Sequence, residues 1–206
     1  MNTIKAITAA LSLVLLIVFI SKDTSNVETT RLPDTAKILA FGDSLTYGKG
    51  APSKSYPQQL QNIIQRQVIN AGLSGEPSNR GLKRLPDLLR EHNPDLVIIC
   101  HGGNDLIKQR SKQTLKDNLV KMIRLSKQSG AQVLLVGVPN FKLIRFSTEP
   151  LYEEVAMQEN VLYEGDILSK IENNNSLKSD RIHPNSKGYA LMAEAFNEVL
   201  QDNGIL

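Results

Sequence analysis

Four short segments hold the residues whose types and spacing could do chemistry. Ser44 sits in Gly42-Asp43-Ser44-Leu45-Thr46-Tyr47-Gly48, Gly72 closes Asn70-Ala71-Gly72, and Asn104 lies in Gly102-Gly103-Asn104-Asp105. Near the C-terminus, Asp180-Arg181-Ile182-His183-Pro184-Asn185 places an acid shortly before an imidazole. Together they offer a hydroxyl, a flexible backbone N–H, a side-chain amide, a carboxylate and an imidazole. Acyl transfer needs that set: a nucleophile, a base, a group to orient the base, and donors for an oxyanion. Each piece also has a purely structural use. Ser44 or Asp180 could cap a helix or turn, Gly72 could serve a turn, and Gly102-Gly103-Asn104 could be a tight turn with a left-handed asparagine. Their joint occurrence favours chemistry, since one specified four-residue string arises by chance in about one chain in 1000 of this size.

The elements that must position these residues can be read from periodicity. Short apolar runs at 37–41, 68–71, 96–100, 133–136 and 161–163 are candidate strands rich in Val, Ile and Leu. Between and after them lie helical patterns. Pro57 opens one containing Leu60, Ile63 and Ile64; Leu82, Leu85, Leu88 and Leu89 mark a second, with Pro86 set awkwardly inside it. Leu115, Leu119, Met122 and Ile123 mark a third, and Tyr189, Met192, Ala193, Phe196, Val199 and Leu200 a fourth after Asn185. Continuous apolar strands joined by helices require a parallel sheet covered on both faces, hence one three-layer α/β domain over residues 37–206. In such sheets the working residues occupy loops at the carboxyl ends of strands. Ser44, Gly72 and Asn104 each follow a candidate strand.

Phe41-Gly42-Asp43-Ser44-Leu45, Gly72, Gly102-Gly103-Asn104-Asp105 and Asp180-Arg181-Ile182-His183-Pro184 resemble the four blocks of the SGNH (GDSL) hydrolases. The stretch Gly81-Leu82-Lys83-Arg84-Leu85-Pro86, Leu88-Leu89, and then His92-Asn93-Pro94-Asp95-Leu96-Val97 is similar to the periplasmic thioesterase/lysophospholipase/arylesterase branch, which makes Pro86 a family feature. The resemblance implies a flavodoxin-like α/β/α sandwich with a five-stranded parallel sheet. It implies Ser44 as nucleophile, His183 as general base and Asp180 as the group holding its tautomer. The oxyanion hole would be formed by the backbone N–H groups of Ser44 and Gly72 with the Asn104 side chain. The implied activity is hydrolysis of acyl esters, thioesters or lysophospholipids through an acyl-enzyme, with no cofactor and no metal. Two stretches depart from the pattern. Pro77 in Ser74-Gly75-Glu76-Pro77-Ser78 replaces a small hydroxyl residue, and residues 140–179, which usually shape the acyl pocket, show little likeness. Apolar residues among 141–146 and Leu151 favour an acyl chain, though they could equally belong to a core.

Composition removes other classes. The single cysteine, Cys100, excludes an internal disulfide framework and cysteine-based metal clusters, and three histidines (His92, His101, His183) argue against a multi-histidine metal site. A net charge of +3, with basic residues scattered among acids, does not suit nucleic-acid binding. Residues 6–20 (AITAALSLVLLIVFI) form an uncharged run that would span about 22 Å as a helix, short of a hydrocarbon core of about 30 Å. They are expected to act as an export segment, a signal peptide or an uncleaved membrane tether within residues 1–21. Residues 22–36 read as a polar linker, and the protein as an exported, periplasmic or membrane-anchored monomer acting on a small-molecule acyl ester or lipid. Rival readings are a cell-envelope carbohydrate O-deacetylase, an inactive tethered binding protein, and a flavodoxin-like module holding a phosphate on Ser44 and Thr46. The Gly42–Gly50 loop misses the phosphate-loop spacing, and the nucleophile elbow of α/β-hydrolases is absent from the sequence.

Overall fold

The computed structural model describes residues 27–140 and 146–206. Five parallel strands form one sheet in the order β2-β1-β3-β4-β5: β1 (Lys37–Gly42), β2 (Gln67–Gly72), β3 (Leu96–Cys100), β4 (Gln132–Val136) and β5 (Leu162–Glu164). Each expected apolar run becomes a strand, with ends moved by a residue or so. β3 is buried along its whole length and β1 everywhere but at Lys37, as expected of strands covered on both faces.

Helices α2 (Tyr56–Ile64) and α8 (Ser186–Asp202) pack together, as do α3 (Ser78–His92), α5 (Lys112–Gln128) and α6 (Leu151–Glu159). The chain leaves β1 toward β2 and then returns past β1 to β3. Right-handed crossovers in opposite directions put α2 and α3 on opposite faces of the sheet. The strand order therefore reverses at β1, and the crevice beyond the carboxyl ends of β1 and β3 is the place such folds use for ligands. α3 runs unbroken through Pro86. Its N-cap position is Pro77, which has no side-chain acceptor; Asp105 supplies one from elsewhere, accepting from Ser78 N at 2.7 Å and from Ser78 Oγ at 2.9 Å. Among the described residues, three short α-helices, α1 (Ser44–Tyr47), α4 (Gly103–Ile107) and α7 (Ile167–Glu172), and two 3-10 turns at Pro52–Lys54 and Asn175–Leu177 join these elements.

Residues 27–36, in the expected linker, lie along the domain instead of standing off it. Leu32 is buried and donates its N–H to Ile205 O at 2.8 Å, while the backbone of Thr30 pairs with the side chain of Gln132 through both its N–H and its carbonyl. The apolar run at residues 6–20 lies outside the described residues. Among the described residues, no helix is long and apolar enough to cross a membrane.

Candidate active site

Ser44 is presented by the turn from β1 into α1. Gly42 permits that turn: a Cβ there would lie 2.2 Å from both Cys100 O and Thr46 Oγ1. Asp43, not Ser44, is the N-cap, its carboxylate accepting from Leu45 N at 3.2 Å. With capping done by its neighbour, the Ser44 hydroxyl is free to lie 3.1 Å from His183 Nε2.

His183 is held by a small loop closed by an antiparallel bridge between Lys178 and Pro184. Asp180 Oδ1 accepts from the backbone N–H groups of Ile182 and His183, each at 2.8 Å, and its Oδ2 lies 2.7 Å from His183 Nδ1. Burial works to raise the Asp180 pKa, but those two N–H groups and the His183 ring outweigh it and hold it at about 2. The ionised carboxylate can only accept, so Nδ1 carries the proton and Nε2 presents a lone pair to Ser44. Asp180 thus closes the turn and holds the His183 ring at once.

The structure moves one expected site residue. Gly72 N–H is already given to Asn70 Oδ1 at 3.0 Å, and Gly72 does not line the pocket around Ser44. Its glycine requirement is steric, because a Cβ would sit 2.0 Å from Tyr47 N. Gly75, three residues on, lies there instead. It lines the pocket with Ser44, Asn104 and His183, and its N–H has no acceptor among the described residues. Gly75 is the third residue of a turn over residues 73–76, closed by Glu76 N–H to Leu73 O at 3.2 Å, and its φ of +76° suits a type II turn. The Ser74-Gly75 dipeptide is the sequence signal that could have pointed there.

Asn104, at the start of α4, lies where expected. Its Nδ2 donates to Asp43 Oδ2 at 2.9 Å and to Glu76 O at 3.2 Å. Asp43 is buried beneath the site, and burial raises its pKa against the lowering effects of His101, the Leu45 N–H, Asn104 and His183. The pocket has a volume of about 200 Å³, with Leu45, Ile107, Val138 and Ile182 among its apolar walls. Thr46 is fully buried and hydrogen-bonded to Tyr56 at 3.0 Å, which removes it as a phosphate ligand beside Ser44. Leu151, the first residue of α6, is buried in the core and does not line this pocket, while residues 141–145 lie outside the described residues.

Residues 40–191 match the model of the GDSL-like Lipase/Acylhydrolase family. The chain is 40% identical over 114 residues to an arylesterase of Vibrio mimicus, covering 51% of this chain and 57% of that one, so it spans little more than half of that relative's length. It is 34% identical over 160 residues to Esterase TesA of Pseudomonas aeruginosa, covering 71% of this chain and 79% of the relative. The crystal structure of TesA superposes with a TM-score of 0.72 at 29% identity, covering 81% of this chain and 99% of that chain. The matched region contains the sheet, its switch point and the segments bearing Ser44, Asn104, Asp180 and His183, and the chain belongs to the GDSL-like lipase/acylhydrolase family.

Proposed function

We propose that the chain is a serine esterase that cleaves acyl esters or thioesters through a Ser44–His183–Asp180 triad. The observation that carries this is the relay itself: 3.1 Å from Ser44 Oγ to His183 Nε2 and 2.7 Å from His183 Nδ1 to Asp180, opening on a pocket with apolar walls. Ser44 Oγ attacks the substrate carbonyl as His183 Nε2 takes its proton, and Asp180 stabilises the resulting imidazolium. The carbonyl oxygen becomes an oxyanion facing the N–H groups of Ser44 and Gly75 and the Asn104 amide. The Asn104 N–H that reaches Glu76 O at 3.2 Å is the one shared with the oxyanion, the Glu76 carbonyl keeping the amide aimed while the new bond tightens as the reaction proceeds. His183 then returns the proton to the leaving oxygen or sulfur. Water, deprotonated by the same nitrogen, releases the acid from Ser44.

The apolar walls favour an acyl chain over a sugar ring on that side of the carbonyl. The uncharged run at residues 6–20 supports a site of action outside the cytoplasm, which a reporter fused after Ile20 would check. Hydrolysis of p-nitrophenyl esters from acetate to palmitate, with an acyl-CoA alongside, tests the activity. Turnover of a short or medium ester is expected, and inertness toward the whole series would refute the assignment.

A further inference from the structure

Behind the pocket lies a charged cluster, with Glu76 and His101 buried and Arg84 partly so, that the mechanism above leaves unused. From α3, Arg84 Nε donates to both carboxylate oxygens of Glu76 at 2.9 Å, and Nη2 donates to Glu76 Oε2 at 2.8 Å. The same Nη2 reaches Ala71 O at 2.8 Å and Gly42 O at 3.2 Å, which are carbonyls at the carboxyl ends of β2 and β1. The guanidinium also lies 4.6 Å from the centroid of the Phe41 ring. Glu76 Oε2 is in turn 3.2 Å from Nε2 of His101, a fully buried residue just beyond β3. Gly81 leaves room for that ring, since a Cβ there would lie 2.3 Å from His101 Nε2. Burial alone would raise the Glu76 pKa, but its bonds to His101 and Arg84 hold it below the ordinary carboxylate value. Through Glu76 and Arg84, the ends of three adjacent strands are tied together.

A partly buried ion pair of this kind adds little net stability over a well-packed apolar replacement, because desolvation of its carboxylate offsets much of the Coulombic gain. Its position suggests another use. Glu76 is the last residue of the 73–76 turn; its N–H closes the turn and its carbonyl accepts from Asn104. Type I and type II turns differ by a flip of their central peptide, here the one between Ser74 and Gly75. That flip decides whether an N–H or a carbonyl oxygen is presented on a given side. Glu76 therefore touches both donors that the oxyanion needs from outside α1, one through the turn and one directly.

We propose that Arg84 and Glu76 are positioning residues for the oxyanion hole: the clamped carboxylate fixes the Ser74–Gly75 peptide and the Asn104 amide before substrate arrives. This rests on the esterase assignment above. A lysine at position 84 keeps the charge but loses the fork that reaches Glu76, Ala71 and Gly42 together. Glu76→Gln keeps the shape of the side chain and the backbone bonds of the turn while weakening the clamp.

The test uses the full chain and the variants Arg84→Lys and Glu76→Gln, with two readouts. The first is kcat and KM on p-nitrophenyl acetate. The second is the affinity for a trifluoromethyl ketone, whose carbonyl carbon bonds to Ser44 Oγ as the serine proton passes to His183, leaving an oxyanion in the hole. The clamp predicts that kcat falls by about 10- to 100-fold with KM within about threefold, and that affinity for the ketone falls in parallel. The matching methyl ketone, which does not add readily, should bind the variants as it binds the wild type. Folded variants whose kcat and trifluoromethyl ketone affinity stay within about twofold of wild type, whatever their melting temperature, would overturn the proposal. If Arg84→Lys does not fold, Glu76→Gln alone decides; if neither folds, the pair is scaffolding and the proposal fails. A wild-type chain that hydrolyses no ester would instead refute the esterase assignment itself.

Discussion

At the scale of single residues, the glycine that ends β2 and the one three residues beyond it separate shape from chemistry. Gly72 sits against the Tyr47 backbone, where an added methyl has nowhere to go, whereas nothing lies within 4 Å of a Cβ at Gly75. Gly72→Ala is therefore expected to cost about 3 kcal/mol or more of stability, read from a denaturant melt. Gly75→Ala should fold, lose only about 1–2 kcal/mol to its left-handed φ, and lower kcat by about 10- to 100-fold by disturbing an oxyanion donor. The reverse pattern would return the role to Gly72. Asp180 allows a second residue-level test. In Asp180→Asn, the N–H groups of Ile182 and His183 would keep the side-chain carbonyl, so the amide NH₂ faces His183 Nδ1 and forces the proton onto Nε2. That tautomer cannot accept from Ser44, and kcat at neutral pH should drop by about 100-fold or more; a loss under about fivefold would contradict it. That Ser44, Asn104, Asp180 and His183 come together in one place was legible in the sequence because each stands in a short local string. The place of Gly75 on the pocket was not legible, because a positive φ leaves no periodic trace and the first glycine after a strand is the more obvious choice.

At the scale of elements, the strands were legible because burial on both faces forces unbroken apolar runs, as in Leu96–Cys100. Helix α6 was not anticipated: its buried residues, Leu151, Tyr152, Val155 and Ala156, alternate with a charged face in a stretch that resembles the family little. Ile63, one of the apolar residues within the expected α2 segment, is exposed, while Leu60 and Ile64 are buried. The clamp of Arg84, Glu76 and His101 was invisible for another reason, namely that its partners come from α3, a loop and the end of β3. One element carries a pH prediction. Glu172, the last residue of α7, is buried beside Lys178, whose ammonium donates to Glu172 O at 2.7 Å and lies 3.4 Å from its carboxylate. Burial raises the Glu172 pKa from 4.5 to about 7, against the lowering effect of Lys178 and helped by Asp180. The unfolded chain releases this proton at lower pH than the folded one, so folding stability falls as pH climbs from about 4.5 to about 7. Glu172→Gln should flatten the melting temperature across that window. An unchanged slope would show that Glu172 does not titrate there.

At the scale of the whole molecule, the switch in strand order at β1 gathers loops from distant parts of the chain, bringing Ser44 to His183 across 139 positions of sequence. The packed domain also begins earlier than its first strand. A fragment starting at residue 37 would uncover the site of Leu32 and lose its bond to Ile205, whereas one starting at residue 27 keeps both. The longer fragment is expected to be more stable by about 2–3 kcal/mol, mostly from the buried leucine, and equal denaturant midpoints would contradict that. The sequence showed residues 27–36 as polar and aperiodic, which hides one buried leucine among exposed neighbours. The central claim is that Ser44 becomes acylated during turnover. Its most direct test is an acid quench of the full chain during hydrolysis of p-nitrophenyl acetate, followed by intact-mass and peptide analysis. One acetyl group on the peptide bearing Ser44, absent from the Ser44→Ala variant, is the predicted result. An acetyl group on any other residue, or sustained turnover by Ser44→Ala, would contradict it.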